Sequence, residues 1–310
     1  MKLSTSLLTS LAQLTAVATA CTIPSKPSPP SPPSSSPACN GHQELCGRKY
    51  SAITFIGSHD SAFVGRSITH NQYISVAAQL DYGVRFLQAQ TRDKDGVIEM
   101  CHTLCLLLDQ GTFEAYLREI AGWLRDKPNE VVSLLLTNPD NIPLDKFDAA
   151  FASTGLKELA FRPKKKRMAK DEWPTLQEFI DDNSRLLVFM DYHADLTKVD
   201  YIMDEFSYFW ETPYGVTDSN FPTCAVDRPK GGDPSQLMGI MNHMLNNRSG
   251  VIVYPNQPAA PTTNSIPSIQ KQVQLCKGQW SEQPNVVLLD YINVGQAAEA
   301  QLMLNNLTDA

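Results

Sequence analysis

The stretch Phe55-Ile56-Gly57-Ser58-His59-Asp60-Ser61-Ala62 begins with residues typical of a β-strand and continues with a histidine and an aspartate, two side chains that can transfer protons. The apolar run 53–56 predicts a short buried strand, which meets a glycine and then presents His59 and Asp60 beyond its end. A second histidine, His102, closes another strand-like run at 97–101. Two histidines at strand ends can divide one proton-transfer reaction, because one can take a proton while the other gives one.

The first residues have the form of a secretory signal: Lys2, an interrupted apolar stretch, and Ala18-Thr19-Ala20 as a small-residue cleavage site. The apolar stretch is too short to span a bilayer, which disfavours the alternative of a membrane anchor. The following residues are almost wholly proline and serine, a composition typical of an extended, solvated segment. We therefore predict a signal peptide over 1–20, a linker over 21–38 and one domain over 39–310 of a secreted, extracellular protein.

Charge and cysteine content narrow the function classes. A net charge of −7 and a pI near 5.4 argue against a nucleic-acid partner. In a secreted protein the seven cysteines should mostly be paired. We predict two pairs from proximity and a third by elimination, which leaves Cys21 over: Cys39 with Cys46, Cys101 with Cys105, and Cys224 with Cys276.

Two glycosylation sequons, at Asn247 and Asn306, agree with export. The chain ends soon after its last predicted helix, with no hydrophobic tail for a glycolipid anchor, so we expect a soluble monomer.

Strand and helix patterns alternate along the chain. Continuous apolar runs such as 131–136 suit strands that are covered on both faces, as in parallel sheets. The eight predicted strands are 53–56, 84–90, 97–101, 131–136, 186–190, 206–210, 251–254 and 286–289. The predicted helices are 73–82, 112–125, 144–151, 175–181, 235–246, 266–276 and 296–307. This order predicts an α/β fold, a distorted single-domain (β/α)8 barrel of the TIM type, with an open doubly wound sheet as the alternative.

Polar side chains collect at the carboxyl ends of the predicted strands, where barrel enzymes place their chemistry. They are His59, Asp60, Gln88, Gln90, His102, Asn138, Asp191, Glu211 and Asp290. A histidine that acts as a base needs a carboxylate on its other nitrogen. Barrel closure would bring Asp290 to His59, while Asp60 points towards His102. The prediction is two His–carboxylate pairs across one barrel mouth.

At these residues the sequence resembles the phosphatidylinositol-specific phospholipase C X-domain superfamily, and most closely its secreted fungal phospholipase-C-like phosphodiesterases. The resemblance spans about residues 50–305 through ordered motifs. They are 55–62, 79–87, 101–105, 128–132, 189–192, 209–213 and 289–291.

The resemblance implies a distorted TIM barrel and phosphodiester cleavage by internal attack, which gives a cyclic inositol phosphate. His59 would deprotonate the attacking hydroxyl and His102 would protonate the leaving oxygen. Asp290 and Asp60 would support the first and second histidine respectively. The substrate would be a phospholipid or another inositol-phosphate-containing molecule, met through a transient contact with a membrane surface.

The second strand departs from the family pattern. Bacterial members carry an arginine there and animal enzymes bind calcium through carboxylates, whereas this chain has Gln88 and Gln90. Glutamine brings no formal charge and is a poor calcium anchor, so we predict neither a metal nor another cofactor. Arg92 is the candidate substitute for the missing charge. The predicted substrate-binding set is Gln88, Gln90, Arg92, Asn138, Asp191 and Trp210.

Three functions stay open. The first is a metal-independent phosphodiesterase that cleaves a phosphoinositide or a related head group. The second is a weakly active or inactive barrel that binds inositol phosphate or glycan phosphate. The third is a glycosidase using Asp191 with Asp290 or Glu99, which leaves both histidines unexplained.

Overall fold

A curled sheet of eight parallel strands organises the molecule, which is described here by a computed structural model of residues 38–307. The strands of the described chain are β1 Phe55–Ser58, β2 Phe86–Gln90, β3 Arg92–Lys94, β4 Val97–Cys101, β5 Asp109–Thr112, β6 Val132–Thr137, β7 Leu186–Met190, β8 Ile202–Asp204, β9 Phe209–Glu211, β10 Met238–Asn242, β11 Asn246–Ser249, β12 Ile252–Pro255 and β13 Val286–Leu289. The helices are α1 Gln43–Cys46, α2 Val76–Asp81, α3 Phe113–Asp126, α4 Leu144–Thr154, α5 Leu176–Asp181, α6 Ala260–Thr263, α7 Ile266–Trp280 and α8 Ala297–Leu304.

The large sheet runs in the order β8-β7-β6-β2-β1-β13-β10-β9. Its edges are β8 and β9, so the sheet curls into a barrel that is open between them. The first strand pairs with the last in parallel, with Phe55 opposite Val286 and Ser58 opposite Leu289. This pairing brings residues 59 and 290 to the same end of the sheet. The predicted distorted TIM-like α/β barrel is confirmed.

Alternation along β2 shows how the sheet separates its two faces. Phe86 packs inside the barrel, with ring centroids 5.9 Å from Phe209. Leu87 and Ala89 belong instead to the apolar layer between the sheet and the helices. Because successive strand residues point to opposite faces, Gln88 and Gln90 share the inner face with Phe86. The glutamines therefore lie above an aromatic barrel floor.

Three predicted elements differ from the structure. The helix predicted over 235–246 is wrong, since this segment contains barrel strand β10. Leu237, Ile240, Met241 and Met244 recur at helical spacing, but all four are buried in the sheet's two apolar layers. A strand that is buried on both faces carries no alternation to distinguish it from a helix.

The segments predicted as barrel strands at 97–101 and 251–254 are strands outside the barrel. The first is β4, which pairs antiparallel with β3 and β5, and the second overlaps β12, which forms a hairpin with β11. Their barrel positions are taken by β8 and β10. β8 has only three residues, too few to show a period in the sequence.

The three predicted disulfides, Cys39–Cys46, Cys101–Cys105 and Cys224–Cys276, are present. The predicted signal peptide, Cys21 and nearly all of the predicted linker lie outside the described residues. Asn247 lies on β11 and Asn306 follows α8. Within 38–307, no helix is both long and apolar enough to cross a bilayer.

Candidate active site

His59 and Asp290 form the first pair at the barrel mouth. The Nδ1 atom of His59 lies 2.8 Å from Asp290 Oδ1, which also accepts a hydrogen bond of 2.9 Å from Asn71 Nδ2. Asp290 is buried, so its charge is poorly screened by water. A carboxylate on Nδ1 keeps the proton there and leaves Nε2 as the atom that can exchange a proton in the cavity.

Asp60 lies between the two histidines. Its Oδ2 atom is 3.5 Å from His59 Nε2 and 3.4 Å from His102 Nε2. The two Nε2 atoms therefore cannot be further apart than the sum of these distances. Gln90 Nε2 donates a 3.0 Å hydrogen bond to the same oxygen, and Gln88 Oε1 accepts a 2.7 Å bond from the Asp60 backbone. Both glutamines thus hold Asp60 in place.

His102 is fixed from three sides. Its Nδ1 atom donates to the backbone oxygen of Thr69 at 2.9 Å, and its ring stacks on Phe63 at a centroid distance of 5.1 Å. The Cys101–Cys105 disulfide encloses it in a tight loop. Gln90 Oε1 also accepts a hydrogen bond from Thr103 N in that loop. The ring is therefore held with Nε2 towards Asp60.

Two carboxylates control the protonation of His59. Burial alone would lower its pKa, but the charges of Asp60 and Asp290 outweigh burial and raise the pKa from 6.5 to about 9. His59 therefore carries a proton at neutral pH. The imidazolium can attract an anion, and it must lose its proton before it can act as a base.

The cavity beyond the histidines holds an ion pair between the half-buried Arg228 and the buried Glu211. Arg228 Nη2 lies 2.6 Å from Glu211 Oε2, and Asn242 Nδ2 donates to the same oxygen at 3.0 Å. The guanidinium also lies over the Tyr214 ring, 4.9 Å from its centroid. The lining of this cavity of about 170 Å³ is His59, Gln88, Gln90, Leu135, Thr137, Asp191, Glu205, Glu211, Tyr214, Arg228, Asn242 and Leu288.

Three carboxyl groups of the cavity lie near Arg228, and their pKa values are shifted in different directions. Burial, together with the neighbouring charge of Glu211, raises the pKa of Glu205 well above its ordinary value. Burial also opposes ionisation of Glu211, but the hydrogen bond from Glu205 and the charge of Arg228 lower its pKa. Burial raises the pKa of Asp191 to about 6 despite backbone hydrogen bonds from Asn138 and Tyr192. The cavity therefore combines acids of raised and lowered pKa around one guanidinium.

The structure places three of the predicted substrate-binding residues elsewhere. Arg92 forms a 2.8 Å ion pair with Asp140 rather than lining the cavity. Asn138 is buried and closes a turn with hydrogen bonds to and from Ile142. Trp210 is buried under Gly239, where an added Cβ would lie 2.8 Å from the indole. Each has a structural task that removes it from the cavity.

Gln88, Gln90 and Asp191 are the predicted binding residues that do line the cavity. The polar lining residues that were not predicted are Thr137, Glu205, Tyr214, Arg228 and Asn242. Arg228 and Tyr214 belong to the irregular connection between β9 and β10, which has no period in the sequence. In the sequence, Glu211 and Tyr214 follow the predicted strand 206–210. Polar residues at this position could have indicated that the connection contributes to the cavity.

Across residues 38–307, no three histidine, cysteine, aspartate or glutamate side chains are arranged as ligands for a metal ion. The strand-two positions where calcium-binding relatives would carry carboxylates hold Gln88 and Gln90, whose amides are already bonded to Asp60 and Thr103. These residues do not fit a calcium site.

Comparison with known proteins agrees with the fold. The PI-PLC X family model matches residues 45–305. A protein of Arthroderma benhamiae named PI-PLC X domain-containing protein 1 is 48% identical over 274 residues, which cover 87% of this chain and 90% of that protein. A protein of the same organism named as an uncharacterized secreted protein is 41% identical over 285 residues, covering 87% of this chain and 64% of that one.

A mutant of the phosphatidylinositol-specific phospholipase C from Staphylococcus aureus has a similar fold, with a TM-score of 0.58 at 13% identity. The match covers 85% of this chain and 95% of that chain. At this identity the similarity concerns the barrel alone. The family match and the identity to the fungal proteins show that the chain belongs to the PI-PLC X domain family.

Proposed function

We propose that the protein is a secreted phosphodiesterase that cleaves a phosphoinositide or a related phosphodiester with two histidines and without a metal. The observation that carries the proposal is the position of Asp60 Oδ2 within 3.5 Å of His59 Nε2 and 3.4 Å of His102 Nε2. A single phosphorus atom can lie between two imidazoles held this closely. Its attacking and leaving oxygens would then each meet one ring.

The reaction divides the proton transfers between the two rings. Neutral His59 takes the proton of a substrate hydroxyl through Nε2, and that oxygen attacks phosphorus. The bond from phosphorus to the leaving oxygen breaks as His102 Nε2 gives its proton to that oxygen. The products are a cyclic phosphodiester and an alcohol, and the proton is now on His59. Asp290 stabilises the imidazolium that forms there.

Arg228 is our proposed source of positive charge for the phosphoryl oxygens. Among residues 38–307, Arg228 is the one arginine or lysine in the cavity lining. It shares this lining with His59. Phosphoryl transfer needs such a charge near its non-bridging oxygens. The ion pair with Glu211 and the contact with Tyr214 hold the guanidinium in position without closing the cavity.

A polar head group suits the remaining lining. Asn242, Asp191 and Glu211 present amide and carboxyl groups that can bond to hydroxyls. The similar S. aureus protein is named as specific for phosphatidylinositol. We propose a hydroxyl-rich, phosphoinositide-like substrate and, from the secreted relative and the three disulfides, action outside the cell.

A binding protein without turnover is the second candidate. The raised pKa of His59, about 9, favours this function because the imidazolium attracts a phosphate at neutral pH but cannot act as a base. Such a protein would bind inositol phosphate through His59 and Arg228 and release it unchanged.

The test is turnover of phosphatidylinositol by the purified protein in the presence of a chelator. We expect the wild-type protein to release the alcohol half, and His59→Ala and His102→Ala each to abolish release. His42→Ala, on a histidine outside the cavity, should keep full activity. Unchanged activity in both active-site variants would refute the two-histidine mechanism, whereas binding of inositol phosphate without turnover would favour the second candidate.

A further inference from the structure

The loop between α4 and α5 carries the run Lys164-Lys165-Lys166-Arg167, the one stretch of four consecutive basic residues in the sequence. The proposed phosphodiesterase makes no use of it. All four side chains are exposed, and Lys165 is the member of the run that is ion-paired in the described chain, with Glu172 Oε1 at 2.5 Å. Because basic runs are often only solvated surface, the state of the backbone decides whether this run can be recognised by a partner.

The backbone of this loop is held at its two ends and loosely between them. Ala160 pairs with Leu186 at the start of β7, and Met168 is buried. Within residues 38–307, the backbone of 162–168 forms no hydrogen bond with another backbone group. Its one bond to a side chain is the 3.0 Å bond that Tyr208 Oη donates to Lys166 O. The run can therefore leave the surface at the cost of this bond and part of the burial of Met168, as the extended substrate of a protease must.

A second pair of adjacent basic residues, Arg48-Lys49, is held much more firmly. Arg48 O accepts a 3.1 Å hydrogen bond from Leu176 N, and Arg48 Nη1 donates to Asn305 O at 2.7 Å. Lys49 pairs with Thr175 in an isolated antiparallel bridge. The two basic sites thus have similar side chains but differ in how firmly their backbone is held.

We infer that the peptide bond between Arg167 and Met168 is a processing site for an endoprotease of the secretory route that cleaves after paired basic residues. Water hydrolyses this bond, which leaves a carboxylate on Arg167 and an amino group on Met168. Carboxylates in the binding subsites of such a protease complement the charges of Lys166 and Arg167. The inference rests on the proposed action outside the cell, because the chain meets this protease only if it is exported.

The cut would convert the chain into a two-chain protein. The three described disulfides each join two cysteines on the same side of the cut. The ladders β1–β13 and β6–β7 cross between the fragments and hold them together. The loop lies at the amino end of β7, whereas Asp191 beyond the carboxyl end of that strand lines the cavity. We therefore expect the cut protein to stay folded with its cavity intact.

The consequence of the cut appears on refolding. His59 would belong to one fragment and Asp290 to the other, so the pair could form again only after two chains meet. Recovery of the near-ultraviolet circular dichroism after dilution from urea should depend on protein concentration for the cut form. The intact protein should recover at the same rate at every concentration.

Incubation of the purified, folded protein with a subtilisin-type endoprotease specific for paired basic residues tests the site. We expect one cut, with Met168 as the new amino terminus, and two fragments that separate on a denaturing gel without reductant but elute together under native conditions. Arg167→Gln should slow this cut about tenfold or more, because the residue before the cut loses its charge contact. Lys164→Gln is the matched control. It removes the same charge from the same loop, keeps Lys166 and Arg167, and should be cut like the wild-type protein.

Three results would overturn the inference: no cut in the folded protein, a first cut after Lys49, or equal rates for Arg167→Gln and the wild-type protein. The full chain, expressed in a eukaryotic cell that secretes it and contains such a protease, separates this inference from the proposed function. Uncut protein in the medium that turns over phosphatidylinositol would refute the processing site alone. Cut protein in the medium without turnover would refute the phosphodiesterase and support the processing site.

Discussion

A single carboxylate, Asp60, lies within ion-pair distance of both proposed catalytic imidazoles. At His59 it favours the protonated form of the ring, and Asp290 adds a second charge there. The proton on His59 is consequently held more tightly than an ordinary histidine holds it, with a pKa of about 9. The pH range in which the protein can turn over substrate is therefore set by two carboxylates and not by the imidazole itself.

The first prediction concerns this proton. Because His59 must be neutral to accept the hydroxyl proton, kcat/KM should rise with pH towards a midpoint near 9. Asp290→Asn removes one of the charges that raise the pKa, so the acid limb should move to lower pH. The same change should lower the limiting rate by about 10²–10⁴-fold, because the amide no longer holds the required tautomer. Asp140→Asn, outside the cavity, should leave the profile unchanged, and an unmoved acid limb in Asp290→Asn would contradict the assignment.

The second prediction separates a binding role of Arg228 from a structural one. Removing the guanidinium alone would leave Glu211 as an uncompensated buried charge, so the informative variant is Arg228→Met/Glu211→Gln. It should keep the fold and raise KM or lower kcat by about 10²-fold, the usual effect of losing one charge contact in the transition state. Glu211→Gln alone keeps the cation and an amide oxygen that can still accept from it, so its activity should fall clearly less than that of the double variant. Steady-state kinetics in which the double and single variants behave alike would mean that Arg228 serves only its ion pair.

At the residue scale, the predicted groups that line the cavity, or contact a residue that does, belong to regular strands or follow them directly. His59 and Asp290 leave β1 and β13, and Gln88 and Gln90 alternate inwards on β2. These positions depend on the end of the strand that a residue follows and on the alternation of side chains between the two faces of the sheet. Both can be read from sequence. Arg228 could not be predicted in this way, because its connection has no period and only the folded chain brings it to the cavity.

The loop after β4 is the element that holds His102. β4 belongs to a small antiparallel sheet outside the barrel, so no barrel strand positions this histidine. The Cys101–Cys105 bond, the contact with Thr69 and the stacking on Phe63 take that role. The disulfide predicted from the sequence is present, and His102 lies beside Asp60. The sequence did not reveal that the supporting strand lies outside the barrel, because strand patterns do not specify the sheet in which a strand pairs.

The third prediction tests the disulfide loop. Cys101→Ser/Cys105→Ser should lower kcat/KM about tenfold or more, since His102 would then sample orientations that do not reach the leaving oxygen. Closing so short a loop contributes only about 2 kcal/mol to stability, so the variant should stay folded. Kinetics well below the unfolding temperature provide the measurement.

The matched control is Cys39→Ser/Cys46→Ser, which also opens a short loop, with a sequence separation of 7. It should lose similar stability and keep its activity, because that loop holds no residue of the cavity. Equal activity losses in the two variants would show that general destabilisation, and not the orientation of His102, explains the effect.

At the scale of the whole molecule, the site exists only in the closed sheet. His59 and Asp290 are 231 residues apart in sequence, and the pairing of β1 with β13 brings them to 2.8 Å. The unfolded chain separates them, and the pKa of His59 then returns to its ordinary value of 6.5. Any group whose pKa differs between the folded and unfolded states makes the free energy of unfolding depend on pH.

The sign follows from the raised pKa of His59 in the folded state. The imidazolium stabilises the fold fully below pH 6.5, and this contribution is lost as the pH rises through 9. With His59 only partly shielded from water, we expect a loss of at most about 3 kcal/mol in the free energy of unfolding. Urea unfolding at pH 6.5 and at pH 9 measures this loss in the free energy of unfolding. His59→Gln should remove most of this decrease, whereas His42→Gln, outside the cavity, should preserve it. A decrease of the same size in His59→Gln would mean that groups elsewhere cause the alkaline loss, and that His59 is not held as an imidazolium by Asp60 and Asp290.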